Sequence, residues 1–423
     1  MKKYLELYQY FRERIRSGQL ALGDRLPSIR TAAELFSVST TTVENAYFAL
    51  QAEGYILPAP KKGFFVSYVQ KPQSDADSRN CKGEEPYGIM YDMMSGNADP
   101  DSFDIKLWHR YMNSALRQED RLRSYSAVQG EEDLRAAIAD YIREKRNVIT
   151  SPDRIVVGAG VQSLLHILCA LLPEPGTVSF PDRSVEQGIG TFRSHGFAVH
   201  VKDRDADLIY VSPSHMGRFG DVMPISRRLE LVQYSDRHGS FVLEDDFDND
   251  FLSPARPTPS LYTLAAKDNI IYLSSFSNVL TPGIRISFMV LPETLAAEFR
   301  HRSEEFAQTA SKTEQMALCG YLRDGHIAAQ IRKIRRRYTA KVRTLYQALQ
   351  DFPSNYCYIG ENGLQIRLSV PFSGDLSVFR THGLSVFVDR YENDTLELIL
   401  IPSAVPENEI PDAVAALKEC LTT

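Results

Sequence analysis

The chain has 423 residues, 43% hydrophobic and 24% charged, with a formal net charge of −6. That is the make-up of an ordinary globular protein, too long for one small core and suited to two or three domains. No run of 18 uncharged apolar residues occurs, and the N-terminal MKKYLELYQYFRERIRSG is amphipathic rather than a leader, which argues against a membrane-bound or exported chain. The five cysteines (Cys81, Cys169, Cys319, Cys357, Cys420) are odd in number, scattered and never spaced as CxxC. They argue against a disulfide framework or a zinc site and for a reducing cytoplasm. Charge is uneven: residues 1–70 carry nine Lys/Arg against six Asp/Glu (net +3), leaving 39 against 48 (net −9). A mildly basic head on an acidic body fits a nucleic-acid module joined to something else.

In chain order, residues 3–17 read as an amphipathic helix with Leu5, Tyr8, Phe11 and Ile15 on one face. A proline-started helix (Ser28–Phe36), a tight turn at Ser37–Val38 and a second helix from Thr40 follow. A hairpin then carries Lys61, Lys62 and Gly63 at its tip. This order is a helix-turn-helix with a wing, expected over residues 1–67. Residues 68–90 are polar, without apolar period, and read as a linker. From Tyr91 to residue 423, helical patterns alternate with short β-rich runs: RIVVGAG, GTVSF, FAVHV, LIYVS, SFVLEDD, NIIYLSS and ISFMVLP. That alternation predicts a mostly parallel sheet covered on both faces. A long helix over HIAAQIRKIRRRYTAKVRTLYQAL leads to a short α/β tail (LQIRLSV, LSVFVD, LELILI, EIPDAVAALKECL).

The head resembles the GntR-type winged-helix family through LPSIR (26–30), VSTTTV (38–43), AYxxLxxEGY (46–55) and KKGxFV (61–66). The resemblance implies binding of a double-stranded DNA operator. Ser39, Thr40, Thr41 and Thr42 would open the helix that enters the major groove. Arg25, Ser28 and Arg30 would lie at phosphates or bases, with Lys61, Lys62 and Gly63 at the backbone or minor groove. The family often has arginine at position 40. Thr40 and the nearby Glu44 imply weaker or different base readout.

The body resembles fold-type I pyridoxal-phosphate (PLP) enzymes of the aminotransferase kind: a three-layer α/β/α domain with a smaller α/β subdomain. The resemblance rests on SYSAVQGEEDLR (Tyr125, Gly130, Leu134, Arg135), GAGVQ (Gly158, Gly160, Val161, Gln162), LEDDF (Asp245, Phe247) and SFSNxxxPGIR (Ser275, Ser277, Asn278, Pro282, Gly283, Arg285). Joined to a GntR head, this body resembles the MocR/GabR-type regulators. Membership implies a homodimer and a small-molecule effector.

The resemblance also marks departures. Asn278 stands where the family has the cofactor lysine, and a carboxamide cannot form a Schiff base. Phe247 replaces the cofactor tyrosine, Val185 stands where a stacking ring belongs, and Glu397 falls at the arginine that binds a substrate carboxylate. His215-Met216-Gly217-Arg218-Phe219-Gly220 replaces the usual HQxPTG turn. Lys267 and Lys312 lie outside the motif. No catalytic residue and no covalently bound PLP are therefore expected. Ser275, Ser277, Arg285 and the Gly160–Gln162 turn would still cradle an anion, either non-covalent PLP or another phosphorylated metabolite, with Asp245 retained. Three alternatives stay open at this point: these residues merely shape turns, the body is a working PLP enzyme, or it is a ligand-free dimerisation scaffold. The run Glu244–Asp248 reads as a strand end rather than a metal site, with no histidine nearby. Arg332–Arg337 (RKIRRR) reads as a solvated helix face beside Ile331, Ile334 and Tyr338.

Overall fold

A computed structural model describes residues 3–59, 62–67, 88–94, 99, 101–172, 176–182, 185–216, 221–246, 249 and 258–422. Lys61, Phe247 and Gly217–Gly220, singled out above, lie outside this set, as does most of the expected linker. The chain divides into two compact units, Met1–Pro86 and Tyr87–Thr423.

The first unit contains α1 (Lys3–Arg16), α2 (Ile29–Leu35), α3 (Thr40–Ala52), β1 (Ile56–Ala59) and β2 (Gly63–Val66). Ser28 and Ser39 cap α2 and α3 by accepting the Thr31 and Thr42 N–H groups, each at 3.1 Å, which satisfies donors that a helix start leaves open. Ser37 takes a left-handed φ of 52° in the turn between them. The buried seam of α1 is Leu7, Tyr8, Phe11 and Ile15. Leu5, expected there, is only half-buried, and Leu7 takes its place one turn before Phe11. Tyr47 ties the unit together: its ring meets Phe11 and Phe64 edge-on, and its hydroxyl donates to the Pro27 carbonyl at 2.9 Å.

The second unit runs through β3 (Tyr91–Asp92), α4 (Ile105–Leu116), α5 (Glu119–Leu122), α6 (Glu132–Arg146), β4 (Ile155–Gly158), α7 (Val161–Leu171), β5 (Thr177–Phe180), α8 (Glu186–Ser194) and β6 (Ala198–Val201). It continues with β7 (Leu208–Val211), α9 (Ile225–His238), β8 (Phe241–Asp245), α10 (Leu261–Leu264), β9 (Ile270–Ser275), β10 (Ser287–Val290), α11 (Glu293–His301) and α12 (Lys312–Arg323). The long α13 (His326–Ala348) leads to β11 (Tyr356–Ile359), β12 (Ile366–Pro371), α14 (Ser377–Thr381), β13 (Leu384–Ser385), β14 (Phe387–Glu392), β15 (Thr395–Leu400) and α15 (Ile410–Thr422).

Seven strands form one sheet in the order β4-β10-β9-β8-β7-β5-β6, all parallel except β10. Alternate residues serve opposite faces. On β10, Phe288 and Val290 join the core with α4, α6 and α12, whereas Met289 joins the core with α7, α8 and α11. Covering both faces in this way produces the uninterrupted apolar runs seen in the sequence. A four-stranded sheet, β11-β12-β15-β14, packs with the end of α13 and α15 as the subdomain. The body's hydrogen bonding begins inside the expected linker, where Met90 N–H donates to Gly383 O at 2.8 Å.

A buried ionic cluster fixes the segment before α4 to α13. Asp99 accepts Arg337 Nε at 2.7 Å and pairs with the buried Lys341 at 3.2 Å, and Lys341 also donates to Ser403 O at 2.8 Å. Burial pushes the Asp99 carboxyl up. Arg337, the Asp101 N–H and Lys341 outweigh that and hold it below the usual carboxylate range. A depressed folded pKa contributes stability above the ordinary carboxylate value, lost as pH falls through the folded pKa. Removing one member strands a buried ammonium. Asp99→Ala is expected to lower unfolding free energy by about 3 kcal/mol in denaturant melts near neutral pH; a change smaller than about 0.5 kcal/mol, as at an ordinary surface site, would contradict this role.

Candidate DNA-binding surface and anion site

The wing carries three of the expected DNA-facing residues. Arg25 bridges Phe65 as an added antiparallel partner of β2. Its guanidinium lies over Gly63, where φ is +103° and a Cβ would sit 3.3 Å from Arg25 Nε. That φ strains any residue with a side chain, so glycine suits the turn. Lys62, at the turn, is exposed. Arg30 is exposed on α2 and meets Glu34 at 3.4 Å, a solvated pair of little energetic weight. Ser28, Ser39 and Thr42 have a more local role: the Ser39 and Thr42 hydroxyls sit 2.8 Å apart in the cap of α3, as Ser28 and Thr31 do at 2.6 Å in the cap of α2. The outward face of α3 is Thr40, Thr41, Glu44, Asn45 and Phe48. Asn45 and Phe48 were not singled out from the sequence. Their spacing of four and three residues from Thr41 and Asn45 was the available signal, and Phe48 is 73% exposed.

In the body, strand register assembles the second site. Ser287 of β10 pairs with Gly158 of β4 on one side and Ser275 of β9 on the other. Two residues beyond, the same antiparallel count sets Arg285 opposite Gly160 and Ser277. The count persists past the strand ends, since Phe276 N–H donates to Ile286 O at 3.0 Å. Gly160 has φ +88°, and a Cβ there would lie 2.5 Å from Arg285 Nη2 and 3.0 Å from Cζ. The guanidinium therefore rests on bare backbone at the start of α7. That start has no side-chain cap, so Val161 and Gln162 open the helix with donors available to an anion.

The serines are less free than the sequence suggests. Ser275 Oγ accepts both the Ser277 N–H (3.2 Å) and the Ser287 hydroxyl (2.8 Å), and Ser277 Oγ donates to Ile284 O at 3.3 Å. Both hydroxyls hold the Pro282–Gly283 loop in shape. Asn278 follows them and is half-buried.

The three acids of LEDD take three roles because successive side chains on a strand point opposite ways. Glu244 is buried and accepts the N–H groups of Leu261 and Tyr262 at 2.8 and 2.9 Å. Burial, reinforced by Asp246, holds its carboxyl above the usual range. Asp246 takes a bidentate bond from Arg146 (2.8 and 3.0 Å) and the Tyr272 hydroxyl at 2.6 Å. Asp245 is half-buried at the end of β8 and accepts the phenol of Tyr210. Tyr210 is fully buried on β7, stacked on Phe180 at 4.8 Å, and burial together with Asp245 raises its pKa well above normal. Tyr210 was missed in the sequence, where one tyrosine in LIYVS looks like ordinary core.

Val185 packs into the apolar core beside α8. Glu397 lies in the subdomain sheet, in register between Ser369 and Arg390, and bonds the Tyr356 phenol. Lys267 donates to the Asp236 carbonyl at the opposite end of β9 from Ser275. Lys312 donates to Ser124 and Tyr125 carbonyls at 3.1 and 3.2 Å. Among the described residues, no three His, Cys, Asp or Glu side chains are placed to hold a metal ion, and no helix is long and apolar enough to cross a membrane.

Two family models match: bacterial regulatory proteins of the gntR family over residues 3–66, and aminotransferase class I and II over residues 95–367. The HTH-type transcriptional regulator YdeL of Bacillus subtilis is 30% identical over 98% of this chain and 96% of its own length. The chain is a MocR-type HTH transcriptional regulator. The probable rhizopine catabolism regulatory protein MocR of Rhizobium meliloti is 28% identical, covering 87% of this chain and 81% of its own. The pyridoxine biosynthesis transcriptional regulator PdxR of Corynebacterium glutamicum is 26% identical over 90% and 86%. In structure, the body has the fold of an archaeal alanine:glyoxylate aminotransferase (TM-score 0.70, 18% identity, 82% of this chain and 94% of that one).

The MocR-type chain is expected to use its wing and α2 on phosphates. Arg30→Ala combined with Lys62→Ala should reduce the slope of log affinity against log salt by roughly 1.8 on duplex DNA. An unchanged slope would contradict this docking.

Proposed function

We propose that this regulator binds its operator as a cytoplasmic homodimer and that its body senses a small anionic or phosphorylated metabolite without Schiff-base chemistry. The observation that carries the sensor reading is the Arg285 guanidinium resting on Gly160 at the uncapped start of α7. A cation beside a row of helix N–H groups is a phosphate-binding arrangement. PLP, when bound in this fold, supplies an electron sink, and its covalent attachment needs a primary amine. Asn278 offers a carboxamide in that loop, while Lys267 and Lys312 are engaged elsewhere. The residues present suit the phosphate end of such a ligand and not its covalent attachment. Glu397, at the position where the resemblance expects the carboxylate-binding arginine, departs further from an amino-acid-processing site.

Effector binding would act by favouring one placement of the two heads of the dimer, and hence one half-site spacing. A ligand that binds only the folded protein raises its melting point. PLP, inorganic phosphate and a panel of phosphorylated metabolites are to be screened by thermal shift. At least one phosphorylated compound is expected to raise Tm, and Arg285→Ala, a change at an exposed side chain, to abolish that rise. A flat response across the panel, or a rise that Arg285→Ala leaves intact, would contradict the sensor reading.

A further inference from the structure

We infer that the outer stripe of α13 is a DNA contact supplied by the body in addition to the winged helix. Between Arg332 and Arg343 this helix carries seven basic residues, and all but Arg335 divide by register into two sets. Lys333, Arg337 and Lys341, spaced four apart, turn toward the body: Lys333 donates to Asp101 O at 3.0 Å, and the other two hold Asp99. Ile331, Ile334, Val342 and Leu345 fill the core. Arg332, Arg336 and Arg343 lie on the opposite side with Thr339, at helical positions i, i+4, i+11 and i+7.

All three of these arginines are exposed and make no hydrogen bond or ion pair among the described residues. With the half-buried Arg335 they line one open groove. The fold does not need them there. Arg332 and Arg336 are like charges one turn apart, which costs helix stability, and the part of the chain after residue 70, this row included, is acidic, at −9. An uncompensated cationic row on an acidic body marks an anion-binding surface.

The length of the row selects the ligand. Arg332 to Arg343 is about 16 Å at 1.5 Å per residue, the axial length of roughly five base pairs, along which a duplex presents a charge about every 1.7 Å. A small metabolite phosphate would engage one or two of these arginines. A polyphosphate backbone engages the whole row, and guanidinium groups suit phosphate oxygens through paired N–H donors. Such contacts are independent of base sequence, so they add affinity without adding specificity.

The test uses the full-length protein and a mixed-sequence duplex of about 60 bp across graded salt. Arg332→Ala/Arg336→Ala/Arg343→Ala is expected to reduce the slope of log affinity against log salt by roughly 2.7, about 0.9 for each phosphate that the variant no longer neutralises. The corresponding triple lysine variant, which keeps the charge, is expected to retain most of the slope. Unchanged affinity and slope in the alanine variant would overturn the proposal. So would equal loss in the lysine variant, which would indicate structural damage. Weakened self-association with an intact slope would assign the row to a protein interface instead, and would also overturn it. The Arg30→Ala/Lys62→Ala variant, measured alongside, reports on the winged helix separately.

Discussion

The antiparallel insertion of β10 between β4 and β9 is the constraint on which the body's site depends. A parallel neighbour would return its chain to the far edge of the sheet before pairing. β10 instead enters directly from the loop after β9, so that loop is held at the same edge as the β4–α7 turn. Gly158, Ser287 and Ser275 fall in one row, and Gly160, Arg285 and Ser277 in the next. The position of Arg285 over the helix start is thus a consequence of strand register, fixed by buried core residues such as Phe288, Met289 and Val290. A one-residue slip of β10 would exchange its two buried faces, setting Met289 where Phe288 and Val290 are packed, and would move the guanidinium off Gly160. Packing on both sheet faces opposes that slip, so the core sets where the candidate anion site lies.

The same logic distributes charge. Glu244 and Asp246 face the interior and serve the α10 start and the Arg146–Tyr272 cluster, while Asp245, half-buried at the end of β8, accepts the Tyr210 phenol. Along α13, helical period performs the equivalent sorting of arginines and lysines into structural and outward sets. In both elements a run of like residues looks uniform in one dimension and is divided by geometry in three. Reading such runs as single features, whether as a metal site or as a solvated face, loses that division.

Strand and helix order was legible because hydrophobic period is written into the chain: all seven strands of the large sheet sit on the apolar runs that suggested them. The caps were not read: Ser28 and Ser39 were assigned to DNA contact, although each stands directly before a helical pattern and caps it. The register was not legible. Nothing local says that Ser287 meets both Gly158 and Ser275, because that pairing is set by long-range packing. The short strands Tyr91–Asp92 and Tyr356–Ile359 were equally silent, the first being only two residues long and the second an edge strand with mixed exposure. Hydroxyl partners were likewise hidden. Ser275 and Ser277 read as phosphate ligands by position, whereas the folded loop uses their bonds to hold its own shape. Tyr210 gave no signal because a phenol in an apolar strand is indistinguishable from core until its partner, distant in sequence, is known.

The proposed retention of an anion-binding edge together with loss of covalent capture of a carbonyl cofactor is open to a simple chemical test. The purified protein is incubated with PLP, reduced with borohydride and weighed by intact-mass spectrometry. No stoichiometric addition of the cofactor's mass is expected, and bound PLP should be recovered free after denaturation. A stoichiometric adduct mapped by peptide analysis to a lysine of the body would contradict this reading of the site.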